Sequence, residues 1–176
     1  MHSQLSIVNI AAYKFASLAN LPALRDELRE LCRQLSLRGT ILLSEEGINL
    51  FVAGRRQATD ALVSRLRVLP TCGDLEVKES FSDHQPFNRM LVKIKREIIA
   101  FGVDGIDPRR YTSSRMSPQT LRAWLDEGRE VTLLDVRNEF EVNAGTFTGA
   151  SSVGIEKFRD FPNAAARLPD ELKQHP

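Results

Sequence analysis

Residues 39–54, GTILLSEEGINLFVAG, constrain the fold more than any other stretch of this chain. Two apolar runs, Ile41-Leu42-Leu43 and Ile48 to Ala53, enclose the polar Ser44-Glu45-Glu46-Gly47. Polar turn residues between apolar strands, with a glycine able to take positive φ, spell a β-hairpin. The segments on either side have helical period. Leu21, Leu24, Leu28, Leu31, Cys32 and Leu35 recur at helical spacing, with Asn20 and Pro22 at the start and Gly39 as a left-handed stop. From Arg55 to Leu69 a second stripe (Ala58, Ala61, Leu62, Leu66, Leu69) runs until Pro70 ends it.

Strands bracket this core pattern. Gln4 to Tyr13 is short and apolar enough for a buried first strand, and Leu75, Val77 and Phe81 alternate with Glu76, Lys78 and Ser80. The order βαββαβ is that of a ferredoxin-like split βαβ domain, an α+β fold that includes the acylphosphatase shape. Acylphosphatase activity itself is not expected, because no Arg-rich phosphate loop follows the first strand. A further strand is expected at Arg89 to Arg96, with Met90, Val92 and Ile94 facing one way and Lys93 and Lys95 the other. Those lysines either protect a sheet edge or face an RNA backbone.

The 24 basic and 23 acidic side chains leave a net charge of +1, which excludes a nucleic-acid binder held by bulk charge alone. Cys32 and Cys72 lie without C-x-x-C spacing, and His2, His84 and His175 are scattered, so neither a metal site nor a structural disulfide is expected. Cys32 is read as core-facing and inert, Cys72 as more exposed in a turn, and His84 as a solvent-facing loop residue. Glu45 and Glu46 are read as solvated turn carboxylates rather than an acid/base pair. No window approaches the ~20 apolar residues of a membrane helix and the start lacks a signal pattern, which sets the expectation of a cytoplasmic protein without a membrane partner.

The second part is sparser. Residues 102–116 have no clear period and read as a linker between a domain at 1–101 and a partial one at 117–176. Ser117 is an N-cap with Pro118 behind it, Leu121, Trp124 and Leu125 form an apolar stripe, and Gly128 closes the helix. A short strand, Val131 to Asp135, follows, then Gly145-Thr146-Phe147-Thr148-Gly149-Ala150 and helical segments at Glu156 to Phe161 and Asn163 to Lys173.

Asp135-Val136-Arg137, Glu139-Phe140-Glu141 and the 145–150 turn together resemble the opening of an α/β rhodanese-like domain. With GTILLSEEGIN, VAG, Pro86-Phe87, Val92-Lys93-Ile94-Lys95, LLDVRNEFEVNAGTF and Phe158-Arg159-Asp160-Phe161-Pro162, the chain from Tyr13 onward closely resembles the bacterial rhodanese-like tRNA uridine hydroxylases. That resemblance implies hydroxylation of a wobble uridine at C5, tRNA as partner, molecular oxygen as co-substrate and no resident cofactor evident in this chain. It also implies a catalytic cysteine in a loop absent here, expected beyond Pro176, so that this chain is a fragment without activity of its own. Asp135 and Arg137 match supporting residues beside that loop. Thr146 stands where many sulfur-transferring rhodaneses have histidine, which favours the tRNA branch. A sulfurtransferase and a non-catalytic RNA- or protein-binding module are the alternatives. Candidate tRNA contacts are Arg89, Lys93, Lys95, Arg96, Arg109 and Arg110. Tandem arginines and a lysine strip must supply locally what net charge does not.

Overall fold

A computed structural model describes residues 7–103 and 105–173. Gln4 and Leu5 of the expected first strand, and His2 and His175, lie outside the described residues. The chain divides into two compact units, Met1–Ile99 with Asp107–Tyr111, and Ala100–Ile106 with Thr112–Pro176.

In the first unit, β1 (Ile7–Phe15), α1 (Leu21–Gln34), β2 (Arg38–Ser44), β3 (Gly47–Gly54), α2 (Arg56–Arg67), β4 (Lys78–Ser82) and β5 (Met90–Ile94) follow in order. The sheet runs β4-β1-β3-β2-β5, antiparallel except for the parallel β2–β5 pair. β1, β3 and β2 are therefore interior, and β4 and β5 are the edges. Ser44 pairs with Gly47, so the hairpin turn is Glu45-Glu46. Alternation along each strand sends one set of side chains toward the helices, where Leu28, Ile41, Leu43, Ile48, Leu50, Leu62 and Leu66 are at most 1% exposed. Each such burial stabilises by about 1.5–3 kcal/mol relative to exposure. The opposite set faces away from both helices, and its register runs Leu91–Thr40–Phe51–Ala11–Lys78 in one row and Lys93–Leu42–Asn49–Tyr13 in the next.

Four local expectations are corrected. Gly39 does not stop α1; Ser36 takes the left-handed position at φ 54, and Gly39 lies inside β2 at φ 137. A Cβ there would sit 2.1 Å from the Phe51 carbonyl oxygen, so the glycine permits close strand approach. On α2 the buried position is Thr59 rather than Ala61, because its hydroxyl donates to the Arg56 carbonyl at 2.8 Å and leaves only a methyl for the core. Cys72 is fully buried, not exposed. The turn carrying it folds inward through Cys72 N–H to Leu69 O (3.1 Å) and Leu75 N–H to Cys72 O (3.0 Å), and Leu75 anchors it in the core. The fourth strand begins only at Lys78.

The second unit holds α3 (Pro118–Asp126), β6 (Leu134–Asp135), α4 (Glu139–Ala144), β7 (Ser151–Ser152) and α5 (Phe161–Ala166), with 3-10 turns at Phe158–Asp160 and Asp170–Lys173. Ser117 caps α3 as expected, its Oγ accepting from Thr120 N–H at 3.0 Å. β6 and β7 pair in parallel, so the unit has two short strands where one was expected. Phe101, Phe158 and Phe161 pack together, with the last two stacked at 5.8 Å. The apolar stripe of α3 is not buried: Leu125 is 41% exposed, and among the described residues of this unit only Ile155 is fully buried.

Candidate functional site

The parallel pair β6–β7 places Asp135 at the carboxyl end of a strand, the end at which open α/β sheets bind ligands. Ser151 N–H donates to Leu133 O (2.8 Å) and Val153 N–H to Asp135 O (3.2 Å), so the strand end is fixed by backbone bonds. The chain then turns on its own side chains. Asp135 Oδ1 accepts from the Arg137 backbone N–H at 3.1 Å, and Asn138 caps α4 in a reciprocal box with Glu141.

Between these two fixed points the Arg137 guanidinium is held by three acceptors. Nε and Nη2 donate to the two Asp135 oxygens at 2.9 and 2.6 Å, and Nη2 also donates to the Gly145 carbonyl at 2.6 Å. Thr146 adds its hydroxyl to Asp135 Oδ2 at 2.7 Å. The structure thus brings Asp135 and Arg137 together and adds Gly145 and Thr146, which sequence reasoning did not connect to them. Thr146 was singled out in the sequence by resemblance alone, as standing where many sulfur-transferring rhodaneses have histidine. Hydrogen bonds from Arg137, then from Thr146, hold the Asp135 carboxyl well below the usual carboxylate range. It is an anion at neutral pH and a poor proton acceptor, suited to organising the 145–150 loop rather than to general base chemistry. Beside the cluster lies a cavity of ≈ 570 Å³, bordered by Leu133, Val136, Phe147 and Ala150 as well. That size falls in the range of small-molecule sites.

Neither thiol of the chain can serve as a nucleophile where it stands. Burial pushes Cys32 up to about 11 and also raises Cys72, and both are sealed in the core of the first unit.

The six candidate cations divide into two groups. Arg89, Lys93, Lys95 and Arg96 are all exposed on or beside edge strand β5. Their backbones are tied down, Gly39 N–H donating to Arg89 O (3.0 Å), Lys95 N–H to Leu43 O (2.8 Å) and Ser44 Oγ to Arg96 O (2.7 Å). Arg109 and Arg110 instead converge on Asp107, at 2.8 and 3.6 Å, and Arg109 reaches Ser17 at 3.4 Å. Arg109 holds the Asp107 carboxyl down to about 2. These tandem arginines are therefore partly neutralised. One other expectation is corrected and one holds. Glu46 is half-buried and its Oε1 accepts from Ile98 N–H at 2.7 Å, so it clamps the chain after β5 rather than standing solvated. His84 is exposed as expected but has a partner, Asp83 Oδ1 at 2.5 Å.

No described helix is long and apolar enough to cross a membrane. Residues 7–98 match the family model of the UPF0176 acylphosphatase like domain, in agreement with the βαββαβ architecture. A tRNA uridine(34) hydroxylase of Ralstonia nicotianae is 47% identical over 173 residues, covering 96% of this chain and 61% of that protein. The protein of the same name from Bordetella petrii is also 47% identical, over 96% of this chain and 69% of its own length. Among solved structures, an acylphosphatase from Bacillus subtilis aligns with a TM-score of 0.39 at 13% identity, over 49% of this chain and 98% of that one. The chain therefore spans about three fifths to two thirds of the curated relatives it matches. It belongs to the tRNA uridine(34) hydroxylase family, and its first unit is the UPF0176 acylphosphatase-like domain of that family.

Proposed function

We propose that this chain is the tRNA-engaging domain, together with the first part of the rhodanese-like domain, of an enzyme that hydroxylates the wobble uridine of tRNA at C5. The observation that carries the reading is the 47% identity to tRNA uridine(34) hydroxylases across 96% of the chain, which includes both units. In this reading residues 1–101 and 117–176 are the two domains and 102–116 joins them. The first presents the cations of β5 to tRNA phosphates, which position the substrate without specifying bases. The second contributes the Asp135–Arg137–Thr146 frame at the strand end. Hydroxylation replaces the C5–H bond with C5–OH. We take molecular oxygen as the oxidant, one atom entering the base and the other leaving as water, with two electrons and two protons supplied by an external thiol reductant and the reaction in the cytoplasm.

The reactive cysteine is placed outside residues 1–176, a reading supported by the burial of Cys32 and Cys72. Hydroxylation is preferred to sulfur transfer because the close relatives are named for it. The test joins residues 1–176 to the remaining C-terminal part of the Ralstonia nicotianae relative and supplies unmodified tRNA, ¹⁸O₂ and a dithiol reductant. Nucleoside mass spectrometry is expected to show ¹⁸O-labelled 5-hydroxyuridine with the chimera, none with residues 1–176 alone, and a loss of at least about tenfold in the chimera carrying Asp135→Ala. Product from residues 1–176 alone that survives Cys72→Ala, or sulfur transfer without hydroxylation by the chimera, contradicts the proposal.

A further inference from the structure

The sheet face turned away from α1 and α2 carries a pattern that the lysine strip alone does not explain. Phe51, on central strand β3, is 55% exposed there, although Leu50 and Val52 on either side of it are 1% and 0% exposed. Tyr13, on the neighbouring interior strand β1, is 43% exposed on the same face and packs edge-on to Phe15 at 6.2 Å. From Ile7 to Tyr13 on β1 and from Ile48 to Val52 on β3 the alternation is regular, so the register places these rings outward, while Ala53, next along the face, is buried, with Gln85 bonded to its carbonyl. Thr40 lies directly across from Phe51, and Lys93 and Lys78 sit on this face at opposite edges, four strand spacings or about 19 Å apart. Arg38 adds a third cation, and no aspartate or glutamate occupies this face on any of the five strands. At one end the chain after β5 lies against this face, Asn49 donating to Ile98 O at 3.0 Å and Glu46 accepting from Ile98 N–H. The rest, with exposed rings, cations at both rims and no acidic strand residue, is complementary to a flexible polyanion that has flat apolar groups.

We propose that this face is a platform for single-stranded RNA, on which bases stack against Phe51 and Tyr13 while Lys93 and Lys78 meet phosphates on either side. Stacking on exposed aromatics of the central strands is a general solution to single-strand binding, because every base offers a π-face. A duplex keeps its bases stacked on one another and cannot use it. The proposal rests on the tRNA reading and refines it: the segment bound is unpaired, and the sheet reads it through stacking in addition to charge.

The test uses residues 1–176 with labelled heptauridine as the single-stranded probe, and a blunt RNA duplex and whole unmodified tRNA as comparisons. Phe51→Ala is expected to weaken heptauridine binding about 5- to 100-fold and to leave duplex binding unchanged, while Phe51→Trp retains or strengthens it. Lys93→Ala with Lys78→Ala is expected to weaken both probes and flatten the salt dependence. Because Phe51 is exposed, unchanged thermal melting of both Phe51 variants separates a contact from a folding defect. Equal heptauridine affinity for wild type and Phe51→Ala overturns the platform. So does a wild-type dimer that Phe51→Ala dissolves without affecting RNA binding, which assigns the face to a second copy of this chain. Hydroxylation by the chimera, measured separately, stands or falls independently of either result.

Discussion

Leu28 on α1 and Leu125 on α3 are the same residue in equally amphipathic helices, yet one is 0% exposed and the other 41%. The difference is in what each helix has to lie on. The first unit offers a five-stranded sheet whose inner face is continuous from β4 to β5, and α1 and α2 close over it. The second offers two strands of two residues each, too narrow to cover a helix, and Phe140 and Phe147 are 84% and 63% exposed. Sheets become independently stable at three or more strands with an apolar face, which the first unit exceeds and the second does not reach. The second unit is instead ordered by polar geometry: a Ser117 cap, an Asn138–Glu141 box and the Asp135–Arg137–Thr146 cluster.

The comparison predicts unequal costs. Leu28→Ala should destabilise the first unit by about 2–5 kcal/mol, since a sealed site cannot collapse around the missing atoms. Leu125→Ala should stay within about 0.5 kcal/mol. Denaturant unfolding followed by far-UV circular dichroism checks both, and similar losses for the two would erase the distinction.

Acid should act in the opposite order. The folded-state pKa of Asp135 is depressed, so its contribution is fully present above the unfolded value near 3.9 and is lost as pH falls through the folded pKa. Below about pH 4 the amides of Arg137 and Gly145 should therefore begin to exchange faster, while those of β1 and β3 hold. Asp135→Asn should make that exchange fast already at neutral pH and insensitive to acid. Nuclear magnetic resonance exchange on the described residues reads this directly.

The smallest effect concerns charge on the first unit. Replacing Lys93 and Lys95 by alanine should weaken binding about uniformly across tRNAs and lower the log-affinity versus log-salt slope by about 0.7–0.9 per lost contact. If affinity and slope are unchanged and the variant self-associates, the lysines only guard a sheet edge.

How much of this was legible in the sequence follows the same division. The hairpin, both helices of the first unit and the added strand were readable because each has its own period, 2 or 3.6, and a shared core rewards that period. Gly39 and Cys72 were misread because their neighbours in space, Phe51 and Leu75, are set by strand register and by turn geometry, neither of which local pattern carries. Phe51 was legible as apolar but not as outward-facing until its pairing with Thr40 fixed the register. In the second unit Asp135 and Arg137 were found through motif resemblance alone. Thr146 bonds Asp135 across eleven positions, a contact that no periodicity announces.

The most direct test of the central claim, a self-sufficient RNA-engaging unit joined to one held by polar contacts, is a tRNA titration of a protein made of residues 1–116 beside residues 1–176. Residues 1–116 are expected to unfold cooperatively and to bind unmodified tRNA with the affinity and salt slope of the longer chain. Loss of cooperative folding, or of tRNA binding by a folded 1–116, would contradict the claim.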